Sequence, residues 1–139
     1  MFKKLFIVSA ILLTSLSISF AGSTPNLKEG KWEITIKTEM EGMPMNMPAV
    51  KNTQCLTKDD YVPKNSQPGQ ECEISDTKIS GDTVTWAMKC NGRGGEIKGT
   101  GKITYKGDTF SGEMIINMSG ANNMKITNKM NGRRLGDCD

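Results

Sequence analysis

A turn signal leads directly into an alternating strand in residues 80–90, which read SGDTVTWAMKC. After the turn, Val84, Trp86 and Met88 recur at every second position and are followed by Cys90. Side chains of a strand point alternately to its two faces, so this pattern predicts a strand with one buried and one solvent-facing side. The stretch is therefore interpreted as the turn and second strand of a β-hairpin.

The register of this hairpin predicts a disulfide. If the turn is centred on Gly81, residue i faces residue 162 − i, and Cys72 then faces Cys90. Opposed residues of an antiparallel pair have Cβ atoms close enough for such a bridge. A register that slips by one residue would place Asn91 opposite Cys72 instead.

The other two cysteines, Cys55 and Cys138, are then expected to pair with each other. An even number of cysteines in a small exported domain is typical of a disulfide framework. The alternative is a zinc site, but the gaps of 17, 18 and 48 residues lack the close pairs that zinc sites use. The bridge from Cys55 to Cys138 closes the longer loop and is expected to stabilise the fold more.

The same alternation recurs elsewhere, in residues 31–40, 97–105, 110–118 and 124–130. Turn signals separate these runs at Lys106-Gly107-Asp108 and at Gly120-Ala121-Asn122-Asn123. No segment after residue 21 has helical periodicity over ten or more residues; Leu56 to Tyr61 could form one short helical turn. We expect an all-β fold, an antiparallel meander of about six to eight strands that curls into a small, disulfide-stapled barrel or half-barrel.

The N-terminus has the pattern of a cleaved signal peptide. Lys3 and Lys4 precede an apolar run, and Ser19-Phe20-Ala21 supplies the small residues of a cleavage site before Gly22. The run is about 16 residues long, shorter than the roughly 20 of a spanning helix. We expect a signal peptide over residues 1–21, a single β domain over 22–139, a periplasmic or extracellular location, and no membrane span after cleavage.

Composition argues against several functional classes. Without Lys3 and Lys4, 16 basic and 15 acidic residues remain, with no basic stripe, so no nucleic-acid partner is expected. The chain has no histidine, which removes Ser-His-Asp and Cys-His constellations. We expect no catalytic residues, no enzymatic activity and no resident cofactor, and we expect a monomer.

Four methionines, Met40, Met43, Met45 and Met47, fall within eight positions of a segment rich in Pro and Gly. Thioethers are soft ligands that select Cu(I) or Ag(I), so one hypothesis is a soft-metal site with Cu(I) as its ion. The alternative is that these methionines are adaptable apolar filler or a protein contact.

Trp32 opens the first alternating run, and Arg133 and Arg134 follow the last one. In a closed meander these ends are neighbours, so an arginine stacked on Trp32 would form a structural clasp. Alternatively, Trp32 is plain core and both arginines are solvated. Lipocalins have a similar Gly-x-Trp and late basic residue, which suggests a carrier of a small apolar ligand. Its pocket would be lined by Ile97, Ile103, Met114 and Ile116.

The sequence also resembles a family of exported bacterial proteins catalogued as a domain of unknown function, number 3617. The residues that carry the resemblance are Gly30-x-Trp32-Glu33, Met43 to Pro48, Cys55-Leu56-Thr57, Cys72, Cys90 and Gly136-Asp137-Cys138. The resemblance implies an envelope location and a small β-rich fold, and it implies no activity. We expect a non-enzymatic envelope protein that binds either another envelope protein or a small ligand.

Overall fold

The computed structural model describes residues 24–63, 71–92, 95–120 and 123–139. The strands are β1 Gly30–Met40, β2 Val50–Leu56, β3 Glu71–Ser80, β4 Thr83–Gly92, β5 Gly95–Tyr105, β6 Thr109–Met118 and β7 Met124–Gly136. They form one antiparallel sheet in the order β2-β1-β7-β6-β5-β4-β3. The predicted all-β fold is confirmed, whereas the predicted signal peptide lies outside the described residues.

The sheet is a meander in which the first strand of the chain, β1, pairs with the last, β7. Strands β3 to β7 follow one another in the sheet as they do in the chain, and β1 then pairs with the last strand, β7. Strand β2 pairs with β1 and forms one edge, while β3 forms the other. The gap in the sheet therefore falls between two strands that are consecutive in the chain.

A single cavity shows that this sheet is strongly curled. It is bordered by Asn52 of β2 and by Ile103 and Tyr105 of β5, although three strands separate β2 from β5 in the sheet. Four strand spacings in a flat sheet amount to about 19 Å, too far for one small cavity. The molecule is therefore an open half-barrel, one of the two forms that the sequence predicts.

The apolar core lies on the concave face of the half-barrel. Trp32 is fully buried, and its ring packs against that of Phe110, which also contacts Tyr105. Both ring pairs have centroids 5.5 Å apart. The buried apolar residues are Leu27, Trp32, Leu56, Val84, Trp86, Met88, Cys90, Ile103, Tyr105, Phe110, Met114 and Met130. Those on strands share the concave parity, as the alternation predicts.

The hairpin of β3 and β4 contains an irregularity that the sequence did not reveal. Next to the turn Ser80 faces Thr83, so residue numbers there sum to 163 and not to the expected 162. A shift between Ser75 and Lys78, where Asp76 has a φ of 53°, removes this difference. Beyond the shift, Cys72 faces Cys90. The predicted partner is correct, but it depends on a β-bulge.

Each disulfide fastens one edge strand. Cys72 of β3 is bonded to Cys90 of β4, and Cys55 of β2 is bonded to Cys138, which follows β7. This is the pairing that the sequence predicts. The bridge from Cys55 reaches past β1, because β1 lies between β2 and β7. Two disulfides indicate an oxidising, exported environment.

Two large rings of the core depend on glycines in neighbouring strands. Gly101 of β5 faces Trp86, and a Cβ on this glycine would overlap the indole ring. Gly132 of β7 has the same relation to the ring of Phe110. The inward-facing Gly101 therefore makes room for the Trp86 ring and does not leave an empty space.

We predict that Gly101→Ala destabilises the protein by about 1–3 kcal/mol, because the added methyl group forces the Trp86 indole out of its place. Gly136→Ala is the control, because a Cβ there meets no atom within 4 Å. Urea unfolding followed by tryptophan fluorescence measures both. Equal stability of the two variants would contradict this packing.

The lengths of the loops that the two disulfides close predict unequal contributions to the free energy of unfolding. The bridged residues are 83 positions apart for Cys55–Cys138 and 18 for Cys72–Cys90. Chain entropy then gives about 4.5 and about 3 kcal/mol, respectively. Replacing each pair by serine and measuring urea unfolding tests the difference of about 1.5 kcal/mol. A larger loss from the Cys72/Cys90 pair would show that loop entropy does not set the order.

Candidate functional site

The concave face encloses a cavity of about 160 Å³. Its walls come from β1, β2, β5, β6 and β7 and from the segment that follows β2. The apolar lining consists of Ile34, Ile36, Leu56, Pro63, Ile103, Phe110, Met114 and Met130. The cavity exists on this side because β4 fills the other part of the concave face with the Trp86 ring.

Polar side chains border the same cavity. Asn52 and Gln54 lie on the edge strand β2, and Asn128 lies on β7. Asn128 is held in place by Thr38 of β1, whose hydroxyl donates to its Oδ1 at 2.8 Å. Amide side chains can both donate and accept hydrogen bonds, so this border suits a ligand with a polar group at one end.

Residues 57–63 fold inward from the edge of β2. They begin with a turn in which the N–H and hydroxyl of Thr57 both donate to Asp60 Oδ2, at 2.8 and 3.0 Å. The short helical turn considered from the sequence is not formed here. The Tyr105 hydroxyl then donates to the Tyr61 carbonyl oxygen at 2.7 Å. This bond fastens the segment to β5 and places Asp60 and Pro63 at the cavity.

The Tyr105 hydroxyl keeps the proton that it donates to the Tyr61 carbonyl oxygen. Burial raises the pKa of Tyr105 far above its usual value, and the negative charge of Asp60 raises it further. Tyr105 therefore stays protonated at any physiological pH. Asp60 and Tyr105 both border the cavity.

The pocket predicted from the sequence only partly coincides with this cavity. Ile103 and Met114 line it, whereas Ile97 and Ile116 lie farther along the same face and pack, partly buried, against the core. The polar residues of the border were not predicted. Asn52, Gln54 and Leu56 alternate within β2, but only the strand order shows that this parity faces inward.

The Met-rich segment lies at the other end of β1, in the connection to β2. All four predicted methionines border one surface hollow there, together with the last residues of β1. Met43 and Met45 are well exposed, and Met47 is half-buried. The four residues of the hypothetical metal site therefore border the same surface hollow.

The two arginines of the predicted clasp lie on opposite faces of the sheet. Arg134 faces Trp32 across the β1–β7 ladder, and its Nε donates to the Glu29 carbonyl oxygen at 2.7 Å. Arg133 donates to Glu33 at 3.0 Å on the other face, and this bond holds the pKa of Glu33 below its usual range. Arg134 thus ties the segment before β1 to β7 through the main chain of Glu29.

Two further features are absent from the described ranges. Within residues 24–63, 71–92, 95–120 and 123–139, no three His, Cys, Asp or Glu side chains cluster as a metal site requires. The same ranges contain no helix of sufficient length and apolarity to cross a bilayer.

Comparison with known proteins identifies a family. A family model described as a protein of unknown function, DUF3617, matches residues 27–138. This range includes all seven strands and both disulfides. No curated protein and no solved structure gives a significant match.

We predict that Tyr105→Phe lowers the free energy of unfolding by about 1 kcal/mol, because the buried Tyr61 carbonyl loses its hydrogen bond. Tyr61→Phe is the control, because Tyr61 accepts this bond through its main chain. Urea unfolding compares the two variants, and amide hydrogen exchange of residues 57–63 reports whether the segment loosens. Unchanged exchange in Tyr105→Phe would show that this bond does not hold the segment.

Proposed function

The chain belongs to the DUF3617 family, and we propose that it is an exported, non-enzymatic binding protein that holds a small apolar molecule in its concave cavity. The observation that carries this proposal is the apolar cavity with a polar border. Apolar walls with a few placed polar groups are typical of small-molecule sites. The proposed location is the periplasm or the extracellular space, where disulfides persist.

The volume of the cavity limits the ligand. An engineered apolar cavity of about 150 Å³ binds benzene, and the cavity here has about 160 Å³. Sites for drug-sized ligands have about 300–1,000 Å³. The proposed ligand therefore inserts one short alkyl chain or one aromatic ring, and its polar end remains at the border.

The charge at the border limits the polar end of the ligand. Asp60 is an acidic residue at this border, and the other polar side chains described there are the amides of Asn52, Gln54 and Asn128. A carboxylate on the ligand would place a second negative charge near Asp60, whereas an uncharged or cationic end would not. The proposed polar end is therefore uncharged or cationic and forms hydrogen bonds with Asn52 or Gln54.

Three ligands with the same alkyl chain test this proposal: hexanol, hexylammonium and hexanoate. We expect the methyl NMR signals of Met114 and Met130 to shift with hexanol and hexylammonium. Hexanoate should bind at least tenfold more weakly, a difference of about 1.4 kcal/mol. Asp60→Asn should reduce this difference, because it removes the charge and keeps an oxygen that can accept from Thr57.

A pair of variants on β1 locates the binding. Ile36→Phe places a larger side chain in the cavity and should abolish the shifts. Thr35→Phe adds a similar ring to the opposite face of the same strand and should leave binding unchanged. The proposal is wrong if hexanol binds Ile36→Phe as well as it binds the original protein, or if none of the three ligands binds at millimolar concentration.

A further inference from the structure

Three core methionines and two loop methionines of this protein differ sharply in their exposure. Met88, Met114 and Met130 lie on strands and are only 8%, 3% and 7% exposed, as apolar filler should be. Met43 and Met45, in the connection from β1 to β2, are 49% and 67% exposed. Exposed side chains of this kind fill no core, so the loop methionines need another explanation.

The chain reverses direction at the end of β1, where all four methionines border one hollow. Gly42 has a φ of 85°, and the N–H of Met43 donates to the Met40 carbonyl oxygen at 3.4 Å, so the chain reverses directly after β1. This turn places the main chain of Met43 next to that of Met40. Both then border one hollow with Met45 and Met47.

Two prolines restrict the loop in this arrangement. Met43 precedes Pro44 and Met47 precedes Pro48, and a residue before proline is held in extended conformations. In an extended chain, residues two positions apart point to the same side, which is the spacing of the three loop methionines. Less conformational entropy is then lost when the thioethers close around one ion.

The surroundings of the hollow are compatible with a cation. The charged residues among those that border the hollow are Lys37 and Glu39, which have opposite charges. Lys37 Nζ lies 3.9 Å from Glu39 Oε1, and the same oxygen accepts from Lys129 Nζ at 3.1 Å. Thioethers are neutral and soft, and they favour Cu(I) and Ag(I) over harder ions such as Zn(II). No histidine exists in the chain, and all four cysteines are in disulfides, so stronger nitrogen or thiolate ligands do not compete.

We propose that Met40, Met43, Met45 and Met47 form a site for one soft monovalent cation, Cu(I) or Ag(I). The site is separate from the concave cavity, because Ile34 and Ile36 line the cavity and Met40 ends β1 at the hollow. The two proposals can therefore fail independently.

The test uses the disulfide-bonded protein and Ag(I), which needs no anaerobic handling, followed by Cu(I) under anaerobic conditions. We expect one equivalent of either ion by native mass spectrometry, and none of Zn(II). The methyl NMR signals of Met40, Met43, Met45 and Met47 should shift with Ag(I), while those of Met88 and Met114 stay in place.

Two sets of substitutions separate ion binding from apolar contact. Met43→Leu/Met45→Leu/Met47→Leu keeps the apolar volume and removes three thioethers, so Ag(I) affinity should fall at least 100-fold. Met88→Leu changes a core methionine that borders neither the cavity nor the hollow, so this control should bind Ag(I) as the original protein does. Urea unfolding checks that both variants are folded. The proposal is overturned if the original protein takes up no ion, if the loop variant retains its affinity, or if the shifted signals are those of the core methionines.

Discussion

The antiparallel ladder between β1 and β7 is the constraint on which the rest of the structure depends. It runs from Lys31–Gly136 to Met40–Ile126 and joins the first strand of the chain to the last. Because these ends are joined, the gap in the sheet lies between β2 and β3. Residues 57–63, which follow β2, fold from this edge into the concave face. The Tyr105–Tyr61 hydrogen bond and the position of Asp60 both follow from this path.

The cavity results from an uneven filling of the concave face. On one side, Trp86 lies over Gly101 of the adjacent strand and fills the space with its large ring, while Phe110, over Gly132, forms part of the cavity wall. On the other side, the inward positions of β2 include Asn52 and Gln54, whose polar amide groups stay at the border of the cavity. Polar edge residues cannot fill an apolar space without losing hydrogen bonds to water. The empty volume therefore remains where the edge strand meets the core.

The sequence predicted the features that depend on local pattern. The alternation of Val84, Trp86 and Met88 was sufficient for a strand and its buried face. The pairing of Cys72 with Cys90 was also predicted, but two local effects cancelled there: the turn shifts the register by one residue and the bulge near Asp76 shifts it back. Bulges have no reliable sequence signal, so this agreement was partly fortuitous.

The polar border could not be predicted, because it depends on contacts between distant parts of the chain. Asn52 and Gln54 have the composition of an exposed edge strand, and residue 60 has that of a turn. They become a site only when the β1–β7 ladder curls the sheet and brings β2 towards β5. The four loop methionines could be recognised as a group, because they are close in sequence. Their proximity was apparent from the sequence, and the structure adds the turn at Gly42 and the exposure of Met43 and Met45.

An open half-barrel must keep its two edges in place without pairing them. An interior strand is held by two ladders, whereas β2 and β3 each have only one. The disulfides act at these two strands: Cys55 joins β2 to the end of the chain beyond β7, and Cys72 joins β3 to β4. Each covalent bond thus substitutes for a missing neighbour at one side of the gap. A closed barrel has no edge strands of this kind. In a sheet that does not close, the two disulfides therefore hold the two strands that have a ladder on one side.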